Sequence, residues 1–408
     1  MMKAIRDKCL SSYWFFLLAA WLFWEPDFIK QQVRWLDRCF DAGNILVLVL
    51  LTVFYCMSLR SLLNRFDLTA AVLGLILIIS TLHYSGISSD LWKCLKYEWP
   101  IAAMIMLIQL GVRRAPAKMI RAFYHMYYIN IVINLILGLI FQNGLYSEID
   151  HEAQHWLGNE NVFIVSMLAG LCCGYLDVLM RGKKAAADYL VLHLLCIIQL
   201  VCMWSVTSML GIACYTVLLI LTWVIHSSWF YSLKLYTFLW VAAFFFFTVF
   251  QLHKKTLKWL IKGVFHKSVS LSKRTKLWRR LLKRFRKRPL LGYGVLSPDR
   301  FRKMTRYSNK HWVHCHNYIL ELLIKGGLLA IAVFAALLLW TSQELEKMNH
   351  TMPARVISIT LCSYFVIFCG DCFEMRTPFY VILTLGFVCR YLSPGAAGGN
   401  DKNEVTME

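Results

Sequence analysis

The sequence predicts an all-α integral membrane protein of about twelve transmembrane helices, with one long basic loop that carries amphipathic helices. Composition is the first reason: of 408 residues, 59% are hydrophobic and 16% are charged, against about 25% charged in a soluble domain. Apolar runs long enough to cross a bilayer recur from end to end, which excludes a soluble α/β fold. The runs are continuous rather than alternating, which excludes a transmembrane barrel. Charge is the third reason, because most of the net +21 is concentrated in a single hydrophilic stretch.

The first segment, MMKAIRDKCLSSYWFFLLAAWLFW, starts basic and turns apolar like a signal peptide. It ends in tryptophans and has no small-x-small cleavage site, so it reads as a retained first helix. Candidate spans lie at 10–25, 43–60, 67–84, 99–112, 122–142, 161–180, 187–203, 205–225, 233–252, 317–340, 354–371 and 376–392. Only Trp204 and Ser205 separate the seventh from the eighth. Lys and Arg in short loops mark the cytoplasmic side. Lys3 and Arg6, Arg60 and Arg65, Arg113 to Arg121, Arg181 to Lys184, Lys347 and Arg355, then Arg390, all fall on one side, with both termini. The acidic loop 146–160 (Glu148, Asp150, Glu152, Glu160) falls on the other. The chain thus divides into nine spans over 1–252, a long outer loop over 253–316, three spans over 317–392 and a cytoplasmic tail over 393–408. Most of the fourteen cysteines sit inside apolar runs and read as small hydrophobes. None forms a CxxC pair with a zinc-like partner pair.

The outer loop holds twenty Lys or Arg and one acid, Asp299. In LSKRTKLWRRLLKRFRKRPL, Leu277, Trp278, Leu281, Leu282 and Phe285 make one apolar face ringed by cations. HKKTLKWLIKGVFHK reads similarly. Both read as helices lying in a membrane interface, cations toward anionic lipid head groups; a generic basic surface helix is the plainer alternative. Nucleic acid also attracts such charge, but an extracytoplasmic loop does not meet it. Pro289 ends the helix and LLGYGVL makes a turn.

HWVHCHNYILELLIKGG, from His311 to Gly327, admits three readings. His311, His314 and His316 could ligate a metal, but no acid lies nearby in sequence and the spacing suits no single helix face. They could be ordinary polar residues at a membrane boundary. Or His316 could be catalytic: Asn317 suits an N-cap, and a helix N-terminus attracts phosphate. It would also lower the His316 pKa and favour a neutral, proton-accepting imidazole. One turn deeper, Glu321 and Lys325 can pair at i, i+4. In GDCFEMRTPFY, Asp371, Glu374 and Arg376 crowd a short turn on the same side. There a carboxylate could orient an imidazole and Arg376 could clamp a phosphate, or the turn could be a salt-bridged hairpin and no more.

VHCHNYILELLIKGGLLA resembles the His-Asn motif of the bacterial O-antigen ligase and polymerase superfamily, through His316, Asn317 and Gly327. Ala330 stands where a second glycine is usual. Arg274, Trp278, Pro289, Gly292 and Gly294 resemble the family's Arg, Trp, Pro-x-x-Gly-x-Gly run, and Asp371, Arg376 and Pro378 its Asp…Arg-x-Pro turn. The HxHN form, with His314, leans toward ligases. The chain departs in SVTSMLGIA, where Met209 stands in place of a family arginine. The resemblance implies transfer of a glycan from undecaprenyl diphosphate to the lipid A–core oligosaccharide at the periplasmic face of the bacterial inner membrane. It implies an inverting glycosyltransferase that uses no metal or other cofactor. Carried over, His316 is the base and Arg274 a diphosphate ligand. His314, Asn317, Glu321, Asp371 and Arg376 would line or support the substrate site, and Gly292 and Gly294 would shape the loop. An O-antigen or capsule polymerase would use the same donor. A lipid-linked glycan transporter would need paired interrupted helices with mid-membrane charges, which the sequence does not present.

Overall fold

The structure, a computed structural model, describes residues 2–147, 153–256, 259, 274–306, 314–372 and 377–393. It is a bundle of helices. A short basic helix, Met2–Leu10 (α1), leads into Tyr13–Leu22 (α2), which starts at Ser12, whose hydroxyl accepts the Phe15 N–H. Asp27–Gln32 (α3), Arg34–Met57 (α4), Leu59–Leu62 (α5), Arg65–Ser85 (α6), Ser89–Gly111 (α7) and Pro116–Ile140 (α8) follow. A small antiparallel hairpin pairs Tyr146–Ser147 (β1) with Ala153–Gln154 (β2). Then come Phe163–Arg181 (α9), Lys183–Cys202 (α10), Val206–Leu221 (α11) and Leu233–Phe244 (α12), which runs on as a π-helical turn over Phe245–Val249. Past His253–Thr256 (α13), the loop contributes Arg274–Phe285 (α14) and Pro298–Thr305 (α15). Tyr318–Lys347 (α16), Met352–Phe368 (α17) and Thr377–Phe387 (α18) close the bundle.

Eleven of the twelve candidate spans overlap an apolar helix, and the one at 99–112 forms the second half of α7, whose first half is polar. The stretches Arg34–Met57, Arg65–Ser85, Pro116–Ile140, Phe163–Arg181, Ala185–Cys202 and Tyr318–Lys347 are long and apolar enough to cross a membrane; α2, α11, α12 with its π turn, α17 and α18 are shorter. The weakly punctuated boundary is a real break: α10 ends at Cys202, Trp204 takes a positive φ, and Ser205 caps α11. α9, α17 and α18 are enclosed on nearly every side. By contrast α4, α6 and α10 turn Leu46, Leu75 and Leu190 outward, apolar surface that a bilayer would cover.

Two features differ from the sequence reading. The apolar face of α14 does not lie against lipid, for Leu277, Trp278 and Leu281 are fully buried and the helix packs on α16 and the π turn. Helical spacing says that a face is apolar, not what covers it. The second amphipathic stretch falls largely outside the described residues. The other difference is in α16, where Gly327 breaks the helix at φ 65°, ψ −158°. Here the loop is spliced into the helix. Leu328 N–H donates to Pro289 O (2.8 Å) and Leu329 N–H to Leu290 O (3.3 Å). The carbonyls they leave, Ile324 O and Lys325 O, accept the Tyr293 (2.7 Å) and Gly294 (2.9 Å) N–H groups. Ser80 of α6 adds its hydroxyl to Lys325 O at 2.8 Å.

The three glycines are what allow the chains to come this close. A Cβ on Gly292 would meet Ile324 O, one on Gly294 the Thr81 backbone and one on Gly327 the Leu290 carbonyl, and all three have positive φ. Beyond the turn, the buried Asp90 of α7 holds the chain: it accepts Ser297 N–H (2.9 Å), the Ser85 hydroxyl (2.8 Å) and Arg300 (3.0 Å).

Candidate active site

The splice and the Asp90 anchor bring α14 to the start of α16. Trp278 N–H donates to Cys315 O at 2.9 Å. Asn317 caps α16 as its residue type suggests, with Oδ1 accepting Leu320 N–H at 3.1 Å, and its amide donates to Cys369 O at 3.2 Å. Glu321 pairs with Lys325 (2.6 Å) and also reaches back to accept Cys315 N–H (2.9 Å). Between these fixed points His316 is held at φ 49°, a left-handed conformation uncommon outside glycine. Such strain persists where the surroundings over-determine it.

His316 Nδ1 lies 3.1 Å from Asp371 Oδ1, which also accepts Cys372 N–H at 2.9 Å. The other oxygen, Oδ2, faces Arg274 at 3.4 Å, and Arg274 donates to Gly370 O as well. A carboxylate can only accept, so it fixes the tautomer with the proton on Nδ1 and leaves a lone pair on Nε2. That Nε2 is shielded and has no partner among the described residues. Burial pushes the imidazole down to about 4; neighbouring His314 acts in the same direction and Asp371 opposes it. The direction is the one the sequence suggested, but burial leads, rather than the helix N-terminus. The imidazole is therefore neutral at pH 7 and able to accept a proton.

His314 lies beside it, with ring centroids 4.0 Å apart and the planes tilted by 50°; its Nδ1 accepts His316 N–H at 3.3 Å and lies 3.4 Å from Cys372 Sγ. One atom each of His314, His316 and Asp371 lies within 4.8 Å of the others. The sequence argued against a metal because no acid lay nearby; Asp371 supplies one across the fold. The donor set suits a divalent ion of the zinc type, although Arg274 adds positive charge against it.

His314 and Cys372 help line a cavity of about 620 Å³. Its walls come from the α2–α3 connection, α4, the first half of α7 and the hairpin segment 154–162. None of these stood out in the sequence, since single Trp, Asp and Lys residues at helix ends carry no pattern.

The fold gathers Arg274, His314, His316, Asn317, Glu321 and Asp371 in one place and puts Gly292 and Gly294 in the adjoining splice. Glu321 lies behind the histidines, engaged with Lys325 and Cys315. Arg376 and His311 lie outside the described residues. The first turn of α11 does reach the site, where Thr207 comes beside Gly370. Cys315, Cys372 and Gly370 were not anticipated, because their contributions run through backbone groups and one thiol.

Residues 191–335 match a family model described as O-antigen ligase. The match supports membership of the O-antigen ligase superfamily. It takes in every gathered residue except Asp371, which joins the site through the fold. No curated protein matches the chain.

Proposed function

We propose, from membership of that superfamily, that the protein is an O-antigen ligase of the bacterial inner membrane. It would transfer a polysaccharide from undecaprenyl diphosphate to the lipid A–core oligosaccharide at the periplasmic face. The observation that carries this reading is the Asp371–His316–Arg274 array, which adjoins the cavity through His314. The acceptor hydroxyl oxygen attacks the anomeric carbon, and its proton passes to His316 Nε2. The bond from that carbon to the diphosphate oxygen breaks and its electron pair leaves with undecaprenyl diphosphate. One displacement inverts the anomeric centre. A positioned base contributes about 10²–10⁴ in rate, and Asp371 stabilises the imidazolium that forms. Arg274 has five N–H donors, enough to hold Asp371 and Gly370 while meeting the leaving phosphate; preorganised charge of this kind is often the largest single contribution. The protein would use no metal.

Lys276, Arg279, Lys283, Arg286 and Lys287, on α14 and the turn after it, are exposed. They would suit a phosphorylated lipid acceptor better than a neutral glycan, and so favour ligase over polymerase. With twelve crossings, both termini would be cytoplasmic.

The test is the lipopolysaccharide pattern of a deletion strain complemented with wild type or His316→Ala. A rough core with polymer retained on the lipid carrier, restored by wild type alone, is the expected result. A core bearing one repeat unit would mean a polymerase, and capped lipopolysaccharide with His316→Ala would overturn the assignment.

A further inference from the structure

The Arg274 side of the site and the cavity are distinct. Arg274 meets Asp371 Oδ2 and does not line the cavity, whereas His314, 3.9 Å from Asp371 Oδ1, does. The cavity walls carry Glu25, Asp27, Asp37 and Asp41 against Lys30, Lys93 and Lys96. Lys96 is already paired with Asp41 at 2.6 Å, and Asp27 accepts the Tyr146 hydroxyl at 2.6 Å. Burial pushes the Glu25 carboxyl up to about 8, so it is protonated at pH 7 and three aspartates face three lysines. A wall without net positive charge gives a diphosphate little hold and offers hydroxyl groups both acceptors and donors.

The lining also contains polar atoms that lack a partner. Asn44 is 7% exposed and Trp24 3%, yet Asn44 Oδ1, Trp24 Nε1 and Glu25 Oε1 are buried with no hydrogen bond among the described residues. Leaving such a group unsatisfied costs about 1–3 kcal/mol, so the lining is built for a polar occupant. At one side Trp92 sets its indole edge-on to Trp99, with centroids 5.6 Å apart, and is 52% exposed. An open indole face beside carboxylates matches the two surfaces of a sugar ring, its C–H face and its hydroxyl rim. The volume lies within the range of about 300–1,000 Å³ usual for small-ligand sites and takes a short oligosaccharide.

We propose that this cavity is the acceptor-sugar site: it binds uncharged, hydroxylated sugars on Trp92 and the Glu25 and Asp37 carboxyl groups, and delivers a hydroxyl past His314 while the donor diphosphate stays on the Arg274 side. The proposal rests on the glycosyl-transfer reading for its biological role but not for its measurement. The probe is the core oligosaccharide of the host's own lipopolysaccharide, delipidated and dephosphorylated, titrated calorimetrically into full-length protein in nanodiscs. Saturable binding is expected to wild type and His316→Ala alike. Trp92→Ala and the isosteric Asp37→Asn should weaken it at least tenfold, with unchanged melting temperatures, and Arg274→Ala should leave it within twofold. No saturable binding, or equal affinity in both cavity variants, overturns the proposal. Weakened binding of lipid-linked donor in those variants, with the oligosaccharide unaffected, would assign the cavity to the donor instead. If the oligosaccharide binds as stated but wild type transfers no glycan, the cavity assignment stands and the ligase reading falls.

Discussion

Asp371→Asn tests the array at its centre. Asn has nearly the same shape, so packing is kept while charge and hydrogen-bond polarity change. If its oxygen faces His316 and Cys372 N–H, its NH₂ faces the Arg274 guanidinium. If it flips, NH₂ meets the Cys372 N–H and the imidazole is driven to the tautomer with its proton on Nε2. Either orientation sets donor against donor. At an effective dielectric of about 20, a full charge pair at the 3.1 Å His316–Asp371 separation is worth about 5 kcal/mol. With the proton about half transferred in the transition state, about half of this is lost, or roughly 10² in kcat at 1.36 kcal/mol per factor of ten. Purified protein in proteoliposomes, with lipid-linked donor and lipopolysaccharide acceptor at saturation, gives kcat directly, and the donor KM should move little. A kcat within threefold of wild type would refute the dyad. The pH profile is a second check on the same reasoning. The buried imidazole is already deprotonated above about pH 4, so wild-type kcat/KM should stay flat from pH 8 down to about 5 and fall below that. A break near pH 6.5, where an exposed histidine titrates, would mean that His316 is not held neutral by burial.

Other outcomes follow from the same structure. Gly327→Ala places a methyl against the Leu290 carbonyl at a φ that alanine avoids; strain and overpacking of about 2–6 kcal/mol together should show as a lost or strongly lowered thermal transition in detergent, and a wild-type melting curve would deny the splice. Asp90→Ala takes the acceptor from the half-buried Ser297 N–H, the Ser85 hydroxyl and Arg300 and should destabilise by about 1–3 kcal/mol, read as a lower melting temperature, with no change if the loop is not anchored there. Transfer should persist in excess chelator; loss that zinc restores would make His314, His316 and Asp371 a metal site.

Much of the site was legible because it is local. Asn317 as a cap, the Glu321–Lys325 pair and the apolar face of α14 each follow from spacing within two turns of helix. The pairing of His316 with Asp371 spans the whole α16–α17 hairpin, and no periodicity reports it. The same distance defeats the sequence argument against a metal, which looked only at neighbours of the histidines. The face of α14 was read correctly as apolar but assigned to lipid, because a stripe is the same whether bilayer or protein covers it. The cavity walls were invisible: Glu25, Asp37, Trp92 and Lys96 acquire meaning only when three helix ends meet.

The splice at Gly327 also bears on how the protein is made. A membrane helix normally satisfies its own backbone, and hydrocarbon supplies no substitute. Here Ile324 O and Lys325 O are completed by residues translated some thirty positions earlier, inside a loop that carries nineteen net positive charges. With the loop outside, as proposed, α16 would not finish folding as it enters the bilayer; it would wait until that cationic segment had crossed and turned back onto it. On that proposal, translocation of the loop, closure of the helix and assembly of the histidine site would become one event, so that a chain stalled with its loop inside would also lack the assembled site.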